Sequence, residues 1–276
     1  MRVFILIGMV LIAGCDTHDF RTERSSRLVG SRSGETEHDS PSTYPVSGLM
    51  AYFPFDGDVS NVTSDLHRGQ NHGATFTTDR LGNSRSAIQF DGIDNFISFT
   101  ESNILQVQLP VSLSFWVKPD QNRTTSAVIT TSYDSSENTG VFAAFDSNGG
   151  NPSISIGGGE GLGISSRRTL HAISPLVPGE WYHIVGVVES AASMRLFING
   201  IEVAGDMDGD ANDIKYGGGP MVFGRRISSK GSPPIYFQGA LDDVAIYGHA
   251  LNQSDVSHLF RGSPDGSVDV RDDPGR

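Results

Sequence analysis

The feature that most constrains the fold of this chain is a series of short apolar segments, separated by turn-forming residues, that runs from residue 48 to residue 262. Residues 111–117 (VSLSFWV) alternate between apolar and polar side chains, which is the period of a half-buried strand. Residues 181–188 (WYHIVGVV) are apolar on both faces and rich in β-branched side chains, as in a strand inside a sandwich. Further strands are predicted at residues 49–53, 87–90, 96–99, 128–131, 141–145, 221–223 and 241–247.

The clearest turn signal is Asn199-Gly200, which stands between the apolar segments 194–198 and 201–204. Asn-Gly supplies both positive-φ residues of a type I′ turn. The two segments are therefore predicted to form a β-hairpin.

A single short helix is predicted at residues 255–260, with Asn252 or Ser254 as its N-cap and Gly262 just beyond its end. Many short strands with turns every eight to twelve residues indicate two packed antiparallel sheets. The sequence therefore predicts an all-β fold, a two-sheet antiparallel β-sandwich with one short C-terminal helix.

The composition supports this fold class and excludes several functions. The 33 Gly and 13 Pro residues are more turn-forming residues than a helical protein tolerates, and 37% hydrophobic content suffices for a core. With 20 Lys and Arg against 32 Asp and Glu, the net charge is −12, and no segment supplies the basic stripe that nucleic acid requires. The single cysteine excludes an internal disulfide and a thiolate metal cluster.

The first fifteen residues have the organisation of an export signal. Met1-Arg2 gives a positive start, residues 3–13 are almost entirely apolar, and small Gly14 precedes Cys15. This apolar run is too short to span a ~30 Å hydrocarbon core. Its end, LIAGC, resembles the lipobox of bacterial lipoproteins, in which the cysteine is acylated after cleavage. We predict a lipoprotein signal peptide at residues 1–14 and lipidation of Cys15, with an ordinary signal peptide as the alternative.

The residues that follow Cys15 are polar and have almost no large apolar side chains up to residue 45. Such a segment cannot bury enough surface to offset the entropy of ordering. Residues 15–46 are predicted to be a disordered tether for a folded domain at residues 47–262, and residues 263–276 a flexible tail. Lipidation implies a bacterial cell envelope location, with the membrane as a partner.

Five blocks of the folded region resemble laminin-G-like domains of the concanavalin A-like lectin/glucanase superfamily. They occur in the order typical of the family. The blocks are residues 48–57 with 71–74, 87–97, 114–119, 181–185 with 196–200, and 237–247. The resemblance implies a β-sandwich jelly roll of two curved antiparallel sheets.

The acidic pair Asp242-Asp243 is the main candidate for a metal site. In a regular strand the two side chains lie on opposite faces, both of them apolar here, so at least one carboxylate needs a partner near the core. Asp56 ends the first predicted strand and would lie nearby if the first and last strands pair. Carboxylates with loop carbonyls suit Ca²⁺, and the resemblance implies the same structural calcium site. Hydrogen bonds from turn amides to the carboxylates are the alternative.

The acidic segment 206–213 (DMDGDAND) is similar to an EF-hand loop in composition but not in pattern. Ala211 stands where the loop requires Gly, and Gly217 where it requires Glu. We interpret this segment as a solvated loop, and the glycine-rich residues 157–161 as a flexible connection between strands.

Glycoside hydrolysis is the enzymatic alternative that the superfamily raises. It requires two carboxylates roughly 5–10 Å apart, one of them acting as an acid. Enzymes with this fold usually carry Glu-x-Asp-x-x-Glu on one strand, and no segment here matches that pattern. We therefore predict that the protein is not an enzyme. His183, inside an apolar strand, is interpreted as a hydrogen-bonded core residue.

The aromatic residues provide candidate ligand contacts. Tyr133, Tyr216 and Tyr236 are flanked by Ser, Asp, Gly or Pro and are predicted to lie on loops, where they could bind a ligand. Trp116 and Trp181 lie in predicted strands and are expected to pack in the core.

These observations together predict a non-catalytic, calcium-stabilised binding module for carbohydrate or protein, attached by lipid to the cell envelope. The ligand would be held by loops at one end of the sandwich or by a concave sheet. A structural or adhesive surface lipoprotein that contacts protein partners is the alternative, and a glycoside hydrolase of the same fold is a further one.

Overall fold

The computed structural model of the chain describes residues 47–63, 68–99, 105–121, 126–146, 150–226 and 231–262. The predicted signal peptide at 1–14, Cys15, the tether at 15–46 and the tail at 263–276 lie outside these residues. The described residues form eighteen β-strands and one α-helix, and two eight-stranded antiparallel sheets contain most of the strands. The predicted all-β sandwich with one short C-terminal helix is confirmed.

Sheet 1 carries the first and last strands of the domain. Its strands are β1 (Leu49–Phe53), β3 (Thr75–Thr77), β4 (Ala87–Asp91), β6 (Val111–Pro119), β11 (Tyr182–Ser190), β12 (Ser193–Ile198), β13 (Ile201–Glu202) and β18 (Gln238–Tyr247). Their order is β13-β12-β11-β6-β18-β4-β3, and β1 also pairs with β18. Because Phe53 lies opposite Val244 and Leu49 opposite Tyr247, the expected pairing of the terminal strands is confirmed.

Sheet 2 forms the other layer. Its strands are β2 (Gly69–His72), β5 (Phe96–Phe99), β7 (Ser126–Thr130), β8 (Thr139–Phe145), β9 (Pro152–Gly158), β10 (Arg167–Ala172), β14 (Gly205–Gly209) and β15 (Met221–Phe223). Their order is β14-β10-β9-β8-β7-β15-β5-β2. A small ribbon of β16 (Arg225–Arg226) and β17 (Ile235–Tyr236) packs against β7.

The main core fills the space between the sheets, because alternate side chains of each strand point inward. Phe53 of sheet 1 contacts Phe99 and Phe223 of sheet 2, with ring centroids 4.8 and 5.3 Å apart. Phe99 and Phe223 are themselves 4.9 Å apart. These tilted and edge-on contacts are the arrangement that aromatic rings prefer, and they join the two layers.

The helix α1 (Gln253–Arg261) covers part of the outer face of sheet 1. Asn252 is its N-cap, and a capping box joins Asn252 and Asp255 through reciprocal side-chain to backbone hydrogen bonds. Val256 and Leu259 pack with Tyr247 in a second apolar cluster. No helix among the described residues is long and apolar enough to cross a membrane.

The predicted hairpin is present between β12 and β13. Asn199 and Gly200 have φ values of 50° and 79°, the left-handed conformations that a type I′ turn requires. Trp181, by contrast, precedes β11 and is only half-buried, with the Nζ atom of Lys118 5.4 Å from its ring centroid. The expectation that Trp181 packs in the core is therefore wrong, whereas Trp116 is buried as expected.

A bulge interrupts β18 at Asp243, which has a φ of 49°. The register against β6 shifts between Asp242 and Ala245. As a result, Leu241 and Val244 both point into the core between the sheets, although side chains three positions apart lie on opposite faces of a regular strand. The prediction that Asp242 and Asp243 lie on opposite faces of a regular strand is wrong, because the bulge directs both carboxylates to one guanidinium.

Candidate ligand-binding groove

A groove of about 510 Å³ lies on the outer face of sheet 2, over β8, β9, β10 and β14. Small-molecule sites in proteins typically enclose ~300–1,000 Å³, so the groove is large enough for a ligand. The helix α1 packs on the other sheet, and the side chains at the floor of the groove, such as Ser155 and Thr169, are buried.

Strand register builds the floor of the groove. Residues that lie opposite each other on neighbouring strands project to the same side of a sheet, so pairing of these four strands produces rows of side chains. One row is Phe142, Ser155, Thr169 and Asp208, and the other is Ala144, Ser153, His171 and Asp206.

The floor is polar because the strands alternate between core and groove. Ile154 and Leu170 point into the core, whereas Ser155 and Thr169 on the same strands line the groove. The hydroxyl groups of Ser155 and Thr169 are joined by a hydrogen bond of 2.8 Å. These short side chains leave space above the sheet while presenting hydroxyl groups to it.

His171 lies between two carboxylates in this groove. Its Nδ1 atom is 3.5 Å from Oδ2 of Asp146, and its Nε2 atom is 3.5 Å from Oδ2 of Asp208. The Nη2 atom of Arg167 lies 3.7 Å from the same Asp208 oxygen, and Arg167 Nε donates to Thr169 Oγ1 at 3.1 Å. The groove therefore holds charges of both signs close together.

Three side-chain atoms of the groove are buried without a hydrogen-bond partner among the described residues. They are Oδ1 of Asn151, Nδ1 of His171 and Oδ1 of Asp208. The 3.5 Å between His171 and Asp146 is an ion-pair distance and is too long for a good hydrogen bond. Buried polar atoms in folded proteins are normally paired, so these three atoms could bond to water or to the polar groups of a ligand.

The rim of the groove is apolar. Ile164, Ile173 and Met207 line it with 58%, 61% and 36% of their surface exposed. Phe142, which is buried in the floor, adds an aromatic ring to the lining. A polar floor with an exposed apolar rim suits a ligand that has both hydroxyl groups and apolar faces.

Arg226 reaches the groove from β16. Its side chain lines both the groove and a small neighbouring cavity that also contains Tyr133 and Thr130. Burial, together with the nearby charge of Arg167, lowers the pKa of Arg226 to about 10. The guanidinium still carries its charge at neutral pH.

The predicted metal ligands form a different cluster, on sheet 1. Nη1 of Arg80 lies 3.0 Å from Oδ2 of Asp242 and 2.8 Å from Oδ2 of Asp243. Asp243 also accepts a hydrogen bond of 2.5 Å from the Tyr52 hydroxyl. The Cζ atom of Arg80 lies 4.3 Å from the centroid of a Trp116 ring, a cation–π contact.

The two carboxylates differ in their environment. Burial, reinforced by the charge of Asp243, raises the pKa of Asp242 well above its usual range, although Arg80 acts in the opposite direction.

A calcium ion would need the carboxylate oxygens that Arg80 contacts, so the side chains as they stand do not fit the predicted calcium site. Asp56 is exposed in the turn after β1. Within the described ranges, no group of three or more His, Cys, Asp or Glu is placed to hold a metal ion. Calcium binding stays a prediction.

Comparison with known protein families shows which superfamily the chain belongs to. A family profile of the concanavalin A-like lectin/glucanases superfamily, Laminin_G_3, matches residues 91–257. The chain belongs to this superfamily. No curated protein sequence matches it.

Solved structures share the fold of this superfamily member at low sequence identity. Domain 4 of AbnA, a GH43 extracellular arabinanase from Geobacillus stearothermophilus in complex with arabinotriose, is 19% identical with a TM-score of 0.56, over 78% of this chain and 99% of that chain. Botulinum neurotoxin type C, described as dependent on two ganglioside molecules for cell entry, is 13% identical with a TM-score of 0.56, over 78% and 50%. The binding domain of botulinum neurotoxin DC in complex with rat synaptotagmin II is 13% identical with a TM-score of 0.55, over 77% and 51%. The chain thus matches about half the length of the toxin structures, and these likenesses show the fold alone.

The three tyrosines predicted to contact a ligand do not line the groove of this lectin-like sandwich. The Tyr216 hydroxyl donates to the Val107 carbonyl at 2.9 Å, and burial raises the pKa of Tyr216 to about 12. Tyr133 and Tyr236 are half-buried beside Arg225, whose Cζ atom is 4.5 Å from the Tyr133 ring centroid and which pairs with Tyr236 in the ribbon. Their role in ligand binding stays a prediction.

Of the four strands of the groove, β8 was predicted from the sequence at residues 141–145, whereas β9, β10 and β14 were not. Residues 157 and 158 end β9 instead of forming a flexible connection, and Asp206 and Asp208 belong to β14, so the prediction of a solvated loop is wrong for these two acids. A usable signal was the alternation of polar with apolar residues in 153–156 (SISI) and in 169–172 (TLHA). An apolar residue at every second position, with polar residues between, indicates a strand whose outer face is polar.

Proposed function

We propose that this protein is a non-catalytic carbohydrate-binding module and that the groove on sheet 2 holds the glycan. The observation that carries the proposal is the pair of side-chain rows on the outer face of sheet 2, with hydroxyl, imidazole and carboxylate groups in one groove of about 510 Å³. Hydrogen-bonding groups of this kind match sugar hydroxyls, and the apolar rim matches the C–H faces of sugar rings.

The structural neighbours support this assignment by analogy. Domain 4 of AbnA was solved with arabinotriose, and botulinum neurotoxin type C is described with two ganglioside molecules. These statements concern those proteins, but they support sugar recognition as one use of the fold.

The proposal extends to the location of the protein. A lipid on Cys15 would hold the chain to the bacterial cell envelope, and residues 15–46 would separate the binding domain at 47–262 from the membrane. Labelling of cells with an alkyne-bearing fatty acid tests this directly. We expect label on the wild-type chain and none on Cys15→Ala. If neither protein is labelled, the proposal that Cys15 carries a lipid is wrong.

A glycan array probed with the full chain tests carbohydrate binding. We expect a restricted set of glycans to bind wild type, and Asp208→Asn to lose most of the signal because Asp208 contacts both His171 and Arg167. Each bound glycan is then incubated with the chain and examined for cleavage. Cleavage by wild type that Asp146→Asn or Asp208→Asn abolishes would favour the hydrolase alternative.

A structural or adhesive lipoprotein that contacts protein partners is the second candidate function. The observation that favours it is the toxin binding domain solved in complex with synaptotagmin II, which has the same fold. Cross-linking on whole cells separates the two functions. One specific protein partner, captured by wild type and also by groove variants, would support the second candidate.

A further inference from the structure

In the part of the chain that the structure describes, Arg226 lines the groove without the carboxylate partner that three other arginines of the domain have. Arg80, Arg167 and Arg195 each have a carboxylate partner at 2.8 to 3.7 Å. Arg226 has none among the described residues, and burial together with the charge of another cation, Arg167, lowers its pKa. Removing a guanidinium from water without a counter-ion is unfavourable, so an anion at this position would stabilise the site.

No carboxylate of the described residues lies within ion-pair distance of Arg226, although Asp134 and Glu137 line the small neighbouring cavity together with it. Arg226 lies near Phe142, because both also line the small neighbouring cavity. Asp208 is three strands away from Phe142 in the same row, which is about 14 Å at ~4.8 Å per strand. Asp146 lies four residues further along the chain from Phe142, which is about 13 Å at ~3.3 Å per residue.

The result is a groove with two different ends. The β14 end presents the carboxylates of Asp206 and Asp208, which accept hydrogen bonds from hydroxyl groups. The β8 end presents the guanidinium of Arg226, a planar donor that matches a carboxylate in a bidentate arrangement.

We propose that the groove selects glycans that carry a carboxylate-bearing sugar, and that Arg226 binds the carboxylate. This inference rests on the proposed function, since it names the class of glycan that the groove holds. Neutral parts of the glycan would lie over the hydroxyl floor and His171, and the acidic sugar would lie at the Phe142 end.

The same charges argue against a densely charged polyanion. Three carboxylates, Asp146, Asp206 and Asp208, line the groove, and the chain carries a net charge of −12. A ligand with a negative charge on every sugar would meet repulsion along most of its length. The geometry therefore favours one acidic sugar in an otherwise neutral glycan.

Matched pairs of glycans test the inference. The full chain is titrated with sialyllactose and lactose, and with a glucuronic acid-terminated oligosaccharide and its carboxyl-reduced form. We expect the acidic member of at least one pair to bind about tenfold more tightly or better. Arg226→Gln should remove this preference by weakening binding of the acidic member more than binding of the neutral member, and Arg226→Lys should keep part of it.

Arg225→Gln is the matched control, because the Arg225 guanidinium lies over the rings of Phe96 and Tyr133, at 3.8 and 4.5 Å, and does not line the groove. It should keep the preference for acidic glycans. Equal binding of both members of every pair, or an unchanged preference in Arg226→Gln, would overturn this inference and leave the proposed function standing. Absence of binding to any glycan, in the pairs and on the array, would overturn both.

Discussion

The guanidinium of Arg80 stacks on the indole of Trp116, with 4.3 Å between the Arg80 Cζ atom and the ring centroid. The same guanidinium contacts the buried carboxylate of Asp242 and that of Asp243. Arg80→Gln would leave this pair without its cation, so we expect the free energy of unfolding to fall by about 3–5 kcal/mol. Denaturant unfolding followed by circular dichroism measures the change.

Arg85→Gln is the control for that substitution. Arg85 is exposed, its Cζ atom lies 5.0 Å from the Phe76 ring centroid, and it forms no ion pair among the described residues. Its replacement should cost less than about 1 kcal/mol. Similar losses in both variants would show that the Arg80 cluster is not a major source of stability.

Calcium binding can be tested on the same pair of variants. While Arg80 occupies the Asp242 and Asp243 oxygens, we expect the melting temperature of wild type to be equal in Ca²⁺ and in chelator. In Arg80→Gln, calcium should raise the melting temperature, because an ion bound only by the folded state stabilises that state. Scanning calorimetry measures both. A drop on chelation in wild type would instead show that calcium is bound as the sequence alone predicts.

The stability of the domain should depend on pH through His183. Burial, with a smaller effect of the Arg80 charge, lowers the pKa of His183 to about 3, and its Nε2 atom is hydrogen-bonded to Ser114 at 2.9 Å. The imidazole of His183 becomes protonated near pH 6.5 in the unfolded chain, but only near pH 3 in the folded chain. The contribution of His183 to the free energy of unfolding is therefore fully present above about pH 6.5. It is lost as the pH falls, by up to about 1.4 kcal/mol per pH unit.

Comparison of wild type with His183→Gln isolates this effect. The raised pKa of Asp242 acts in the opposite sense, because its contribution is lost as the pH rises, but that contribution is common to both proteins. Urea unfolding between about pH 7 and about pH 4 should give a flatter profile for His183→Gln. Parallel profiles would contradict the assignment of the proton to His183.

Gly209 ends β14 at the edge of the groove and has a φ of 84°. A methyl group there would overlap the carbonyl oxygen of Arg167, so β14 would have to move relative to β10. We expect Gly209→Ala to lower both stability and glycan affinity. Gly179→Ala is the control, because Gly179 has a φ of 82° with open space around it, and should lose only about 1–2 kcal/mol. Equal losses would contradict the steric argument.

The elements that could be predicted from the sequence are those with local signals. Asn199-Gly200 determines its own turn, and residues 111–117 show their alternation without reference to the rest of the chain. Strands β9, β10 and β14 carry Ser, Thr, His and Asp on their outer face, so their apolar signal is weak. The candidate groove lies on these strands and was therefore missed.

The surroundings of the acidic pair could not be predicted, because they depend on distant residues. Arg80 is separated from Asp242 by 162 residues in the chain, and the bulge at Asp243 arises from pairing with β6 and β1. The sequence showed that a buried carboxylate would need a partner. It did not show that the partner is an arginine.

Isothermal titration calorimetry of the full chain with the glycan that binds best on the array tests the central claim most directly. His171→Ala removes the imidazole between Asp146 and Asp208, and His258→Ala removes an exposed imidazole from α1, on the other sheet. If the groove on sheet 2 is the binding site, His171→Ala should weaken binding by about tenfold or more, whereas His258→Ala should bind as wild type does. Equal affinities for all three proteins would contradict the account.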